Sequence, residues 1–270
     1  MPLISLPAVR LHVDEFGTGQ PVLMLHGLGS SGADWDRVIP GLAAEPYRLI
    51  VPDTRGHGRS DKPDGAYGVA LFAADIAALC DAMNLEKLHV VGLSMGGMIA
   101  FQLAVTRPDL VRSLTIVNSG PDMVPRTLKM KLALGFRLFL TRTLGPRRLA
   151  KWVVKRLFPK PEQKALRAEL GDRLGANDPD VYLRSTRGLM GWTVLNRLAE
   201  ISCPVLILAS DRDYTPVAMK RDYAARLQNA QVVVIEDSGH ASPADQPQKV
   251  IAALIPFLRS QGESRARGKS

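Results

Sequence analysis

Cysteine is scarce: Cys80 and Cys203 are the two in 270 residues. No CxxC spacing accompanies them, so a disulfide framework and a structural metal site are not expected. Each lies among apolar neighbours and reads as a buried structural thiol. No basic residue precedes the first short apolar stretch, which soon meets Pro7. A secretory signal is therefore not expected, and the chain reads as soluble and cytoplasmic. Internal repeats are absent, and low complexity is confined to residues 261–270, expected as a disordered basic tail. Hydrophobic residues make up 46% and charged residues 23%, which sets aside disorder and collagen. Residues 88–106 lack Asp, Glu, Lys and Arg, a run long enough to imitate a membrane span. His89, Ser94, Gln102 and a cluster of glycines interrupt it, so a strand, a tight turn and a buried helix are expected there.

Acidic residues are sparse in one region. Residues 120–173 hold 14 Lys and Arg against 4 Asp and Glu. The formal charge of the chain is +9. Without this segment and the basic tail, the body is mildly acidic. Charge distributed in this way bears on partners rather than on fold.

Short β-branched runs alternate with helical patterns. Strands are expected at 21–25, 47–51, 88–92, 114–117, 205–208 and 232–235, with 9–14 as an edge strand. Helices are expected at 71–83, 98–105 and 250–258. Continuous apolar strands separated by helices indicate a mostly parallel sheet covered on both faces. The alternation stops near Asn118 and resumes at Cys203. The expected organisation is an α/β core over 1–119 and 203–260, with a helical cap or lid over 120–202. Breaks within the lid fall at Gly145-Pro146, Pro159-Lys160-Pro161 and Asp178-Pro179.

The sequence Gly92-Leu93-Ser94-Met95-Gly96-Gly97 lies between a strand and a helix. A serine at such a turn has a strained backbone, and side chains beside it would clash unless they were glycine. The helix start behind it offers amides to a developing oxyanion. Five histidines could serve as its base. His12 and His89 lie in strands and read as structural. His240 follows the last strand, on the sheet edge that also carries the serine turn. Asp211 and Asp213 follow the strand before it; Asp213 gives the order Ser94, Asp213, His240, while Asp211 could instead cap the turn. In the His26-Gly27-Leu28-Gly29 loop the glycines leave amides accessible. Leu28 and Met95 are the candidate oxyanion donors, and His26 a scaffold for that loop.

Together these features resemble the α/β-hydrolase fold superfamily, specifically its serine-nucleophile, esterase-like branch. The matching residues are His26-Gly27-Leu28-Gly29 with Trp35, Asp53-Thr54-Arg55-Gly56-His57-Gly58-Arg59-Ser60, the elbow at Ser94, and Gly239-His240 with Asp245-Gln246-Pro247. The resemblance implies Ser94 as nucleophile, His240 as base and Asp213 as acid. The family's Gly-x-x-Asp pattern appears with Ser210 in place of glycine, which leaves Asp211 as an alternative acid and Asp122 as a more distant one. The resemblance also implies that Arg55 and His57 hold the turn after the 47–51 strand.

Related dehalogenases and epoxide hydrolases carry Asp at the elbow, so Ser94 argues against both chemistries. A serine nucleophile implies an acyl-enzyme with no metal or organic cofactor. Carboxylic esters are the expected substrates. Lactones, C–C bonds of diketones and cofactor-free perhydrolysis remain open on the same triad. The lid carries Leu and Phe over 132–140 and Trp152 beside its charges; it could pack that apolar face over the site with Lys and Arg facing solvent, attract an acidic acyl carrier protein as in the resembling pimeloyl-carrier methyl ester esterases, or meet an anionic membrane. Nucleic acid is not expected, since no binding motif accompanies the charge. A non-catalytic binding protein on the same fold is the alternative of another class.

Overall fold

The structure is a computed structural model that describes residues 3–263. The first half of the chain runs β1 (Leu3–Ser5), β2 (Arg10–Phe16), β3 (Gln20–Leu25), α1 (Ile39–Ala43), β4 (Tyr47–Pro52), α2 (Val69–Ala82), β5 (Leu88–Leu93), α3 (Met95–Thr106) and β6 (Val111–Val117). Then follow α4 (Leu128–Leu157), α5 (Lys164–Gly175), α6 (Pro179–Gly188), β7 (Val205–Ser210), α7 (Val217–Ala224), β8 (Ala230–Ile235), α8 (Ser242–Asp245) and α9 (Pro247–Glu263). The strands form one sheet in the order β1-β2-β4-β3-β5-β6-β7-β8, parallel from β4 to β8 and antiparallel at β1 and β2.

Strand periodicity explains why the inner strands read as continuous apolar runs. Successive side chains point to opposite faces, and here both faces are covered. Leu23, Leu25, Val90, Leu114, Ile116 and Ile207 join α2 and α3 on one face. Val22, Met24, Val91, Val117, Leu206 and Leu208 pack on the other with Trp35, Leu42 of α1 and Leu254 of α9. The alternating strand expected at the edge is instead second in the sheet, because the three-residue β1 pairs outside it. Three residues are too few for a periodic signal.

The charge-free run is β5, one turn and α3, and no helix among the described residues is long and apolar enough to cross a membrane. Cys80 is buried, but Cys203 is only partly so. Helix α9 takes in Gln261 to Glu263, and the rest of the expected tail lies outside the described residues. Between β6 and β7, α4 is broken at Gly145 (φ 68°, ψ 167°), next to Pro146. Asp178 caps α6 through Asp180 and Val181 amides, each at 2.9 Å.

This helical segment contacts three loops at one sheet edge. The Asn177 amide donates to Gly29 O at 2.6 Å, and Arg173 meets Asp34 at 3.2 Å. Lys160 pairs with Asp237 at 2.5 Å, in the loop after β8, while Val181 packs at Gly56 after β4. All three loops follow parallel strands, the end of the sheet where α/β proteins place their sites.

Candidate active site

Strand β5 ends at Leu93 and α3 begins at Met95, so Ser94 alone makes the turn. Its backbone sits at φ 52°, ψ −113°. Such a conformation costs a non-glycine residue on the order of 1–3 kcal/mol and persists only where its surroundings enforce it. Here they do so through hydrogen bonds. The Ser94 amide donates to Val117 O at 3.0 Å. Its carbonyl accepts from the Gly97 and Met98 amides at 2.9 and 3.2 Å, and from the Ser119 hydroxyl at 2.6 Å. A Cβ on Gly92 would collide with the Gly96 carbonyl, and one on Gly96 with that of Leu25. Glycine at both positions lets the strand, the helix and the neighbouring loop close around Ser94.

That neighbouring loop follows β3. A Cβ on Gly27 would stand 3.8 Å from Ser94 Cβ. The Gly27 amide donates to Asp34 at 2.9 Å. His26 is fully buried, and its Nε2 accepts from the Thr54 amide at 3.0 Å. That bond leaves the proton on Nδ1, 2.8 Å from Gly27 O. His26 thus braces the loop, as its sequence context suggests. Leu28 belongs to this loop and Met95 opens α3; neither amide has a protein acceptor among the described residues.

His57 is also buried, with Nδ1 2.9 Å from Arg55 O, and burial pushes its pKa down to about 3. His89 lies against Ser113 at 2.7 Å, and burial lowers it to about 4. Arg55 forms a buried ion pair with Asp75 at 2.5 Å. Arg55 and His57 hold structure near the site rather than face it, and His89 stands at the start of β5, at the other end of the strand from Ser94.

His240 follows β8 and is mostly buried. Its Nδ1 lies 2.8 Å from Asp213 Oδ1, and its Nε2 lies 2.8 Å from the Tyr214 hydroxyl. A carboxylate partner places the ring proton on Nδ1, so the Tyr214 hydroxyl donates to Nε2. The two rings overlap, with centroids 4.2 Å apart. Among the described hydrogen bonds, the partner of Nε2 is therefore Tyr214 and not Ser94.

The Asp213 side chain is completely buried and holds more than the imidazole. Its Oδ2 accepts from Lys220 Nζ at 2.6 Å and from the Thr215 hydroxyl. Burial alone would raise its pKa. The hydrogen bond from His240 and the charges of His240 and Lys220 outweigh that and hold it at about 2. Lys220 is likewise fully buried; burial lowers its pKa while Asp213 opposes the shift.

The alternative acid Asp211 is engaged elsewhere. Its two oxygens accept the amides of Asp237 and Ser238, each at 3.0 Å, which shape the turn leading to His240. Asp122 is paired with Arg126 at 3.0 Å. Neither touches His240. Asp213 alone among the three candidates is bonded to the imidazole.

Sequence reasoning missed Asn118, Tyr214 and Lys220. Asn118, at φ 45°, ends β6 and laces three loops together. Its side-chain amide donates to Ser210 Oγ at 2.8 Å and to His240 O at 2.9 Å, and its oxygen accepts the Ser210 amide at 2.8 Å. A lone amide at the end of an apolar strand was a readable signal. Tyr214 and Lys220 carried none, because each looks like an ordinary exposed residue.

Beside the site lies a cavity of about 530 Å³. Its lining includes Met130 and Leu134 of α4, Met123, Met190, and Met219 and Tyr223 of α7. The Tyr223 hydroxyl donates to Ser119 O at 3.0 Å, and Ser119 in turn donates to Ser94 O. The cavity is thus two hydrogen bonds from the elbow, although Ser94 and His240 do not line it.

The chain resembles known proteins over most of its length. The model of the alpha/beta hydrolase family matches residues 22–254. A protein of Caulobacter sp. (strain K31) named "Putative carbamate hydrolase RutD" is 32% identical, over 93% of this chain and 95% of its own. A thermophilic esterase from Thermogutta terrifontis superposes with a TM-score of 0.85 at 28% identity, covering 96% of this chain and 97% of that one. The enol-lactonase of Burkholderia xenovorans LB400 shares the fold, with a TM-score of 0.88 at 22% identity over 96% and 100% of the two chains. Strands β4 to β8, the turn at Ser94 and the loop of His240 fall within the matched residues, and the chain belongs to the alpha/beta hydrolase family as one of its hydrolases.

Proposed function

We propose that this hydrolase cleaves carboxylic esters through an acyl-enzyme on Ser94, with His240 as base, Asp213 as acid, and the Leu28 and Met95 amides as oxyanion donors. The observation that carries the reading is the 2.8 Å bond from His240 Nδ1 to a fully buried, ionised Asp213, on the same sheet edge as the strained Ser94 turn.

The chemistry follows from that pairing. Asp213 holds the Nδ1 proton, which leaves the Nε2 lone pair as the base. Once the Tyr214 hydroxyl yields Nε2, the proton of Ser94 Oγ passes to it as Oγ bonds the substrate carbonyl carbon. The carbonyl electron pair moves onto oxygen, where the two amides stabilise it. Collapse of this intermediate expels the alcohol, which takes the proton from Nε2. Water then repeats the sequence on the acyl-enzyme: Nε2 takes its proton, and the acid leaves as Ser94 is restored. We take α4 to α6 as a lid over this edge and the 530 Å³ cavity as room for the apolar part of the substrate.

The relative named for carbamate hydrolysis supports a second reading. A carbamate carbonyl suits the same machinery but is less electrophilic, because nitrogen donates into it. Steady-state hydrolysis of acyl esters graded by chain length, beside matched aryl carbamates, separates the two. The ester reading expects higher kcat/KM on esters and a loss on the order of 10³–10⁶-fold in kcat for Ser94→Ala. Higher kcat/KM on the carbamates would favour the second reading, and near-wild-type turnover by Ser94→Ala would overturn both.

A further inference from the structure

The first arm of α4, before the break at Gly145, has two apolar sides. Residues in a helix follow one another by about 100° of rotation. Leu128, Leu132, Phe136 and Phe139 therefore share one side, within an arc of roughly 80°. They are 72%, 65%, 61% and 60% exposed. Leu134 and Leu138 are half-buried and Thr141 is buried, on a different side that turns towards the protein. Lys129 borders the exposed stripe on one flank, and Lys131 and Arg142 border it on the other; all three are exposed.

The helix as a whole carries nine Lys and Arg and no Asp or Glu. A lid needs one apolar face, directed inward, and the inner side already supplies it. The outer stripe is left exposed by the described residues.

We propose that this arm is an interfacial helix that docks the protein on an anionic lipid surface. Leu128, Leu132, Phe136 and Phe139 enter the boundary between headgroups and acyl chains, and Lys129, Lys131 and Arg142 meet the phosphates. The composition selects this occupant. A second copy of the chain would bring the same cations face to face. A nucleic acid backbone would satisfy the charges but leave the Leu and Phe stripe uncovered. A lipid surface accepts both at once, along the exposed side of a single helix lying flat.

Sedimentation with vesicles tests this without reference to activity. The full chain is mixed with vesicles of equimolar phosphatidylglycerol and phosphatidylcholine, and separately with phosphatidylcholine alone. Binding is expected on the mixed vesicles, weaker by on the order of tenfold on phosphatidylcholine, and reduced by added salt. Two variants divide the contributions: Phe136→Asp with Phe139→Asp removes the apolar anchor, and Lys131→Glu with Arg142→Glu reverses one flank. Each is expected to weaken binding by about tenfold or more while leaving the thermal transition in place. Failure to bind the mixed vesicles, or equal binding to both kinds, overturns the proposal. It is overturned as well if the double Phe variant binds like wild type, if wild type forms a dimer that this variant dissolves, or if an acidic acyl carrier protein is bound and vesicles are not.

Discussion

Replacing Lys220 with Met is the perturbation to which the candidate site should respond most informatively. Lys220 Nζ donates to Asp213 Oδ2 at 2.6 Å, to Thr215 O at 2.8 Å and to Thr215 Oγ1 at 2.9 Å, and neither charged side chain is exposed. Met is close to Lys in shape, so the cavity and strain terms are small. What remains is a buried carboxylate that has lost its cation, which costs about 3–5 kcal/mol. For a chain of this size, that corresponds to a fall in Tm of roughly 6–20 °C. Asp213 keeps the Thr215 hydroxyl and His240, so Lys220→Met should retain far more kcat/KM than Asp213→Asn.

The sign of the pair can be read from the double variant Asp213→Asn with Lys220→Met. It removes both charges and should be more stable than Lys220→Met alone. Thermal unfolding of the four proteins, with ester kinetics on each, completes the cycle. A Lys220→Met protein as stable as wild type would refute the reasoning, as would a double variant whose losses merely add.

Further outcomes follow from the same geometry. Asp213→Asn should lower kcat by on the order of 10⁴-fold, whereas Asp211→Asn should cost mainly stability, about 1 kcal/mol, because it braces amides. The reverse ranking in steady-state kinetics would reassign the acid. Tyr214→Phe removes the hydroxyl bound to Nε2 and should raise kcat/KM for a small ester by about 2- to 10-fold. A comparable fall would place the hydroxyl in the reaction instead. His57 and His89 are held neutral by burial, with pKa values of about 3 and about 4 against 6.5 unfolded. Their contribution is intact above pH 6.5 and is lost as pH falls towards those values, so each should cost about 2 kcal/mol by pH 5. Denaturant unfolding of wild type and His89→Gln at pH 7 and pH 5 measures it. A smaller pH-dependent loss in the variant is expected, and an equal loss would contradict the assignment.

The sheet and the elbow were legible because their causes are local. A continuous β-branched run makes a strand covered on both faces, and glycine at 92 answers a backbone collision with Gly96 only four residues away, although glycine at 96 also answers one with Leu25 of β3. His240 was legible from its place after the last strand. The sequence favoured Asp213 but kept Asp211 open: both occupy one short loop, and their roles diverge only when the turn after β8 arrives to take the Asp211 oxygens. Nothing in the sequence marked Lys220: a lysine on α7, seven residues after Asp213, carries no sign that its charge will be buried against that carboxylate. The outward Leu and Phe stripe of α4 was hidden for a related reason. A helix sequence fixes which residues share a side, whereas tertiary packing chooses which side faces inward.

The central claim is that Ser94 is an activated nucleophile, and covalent labelling tests it most directly. A fluorophosphonate probe should add once to the folded wild-type chain, with peptide mapping placing the adduct on Ser94. Ser94→Ala should remain folded and unlabelled, and His240→Ala should label far more slowly. A folded wild-type protein that resists the probe, or one that carries the adduct at another residue, would contradict the account.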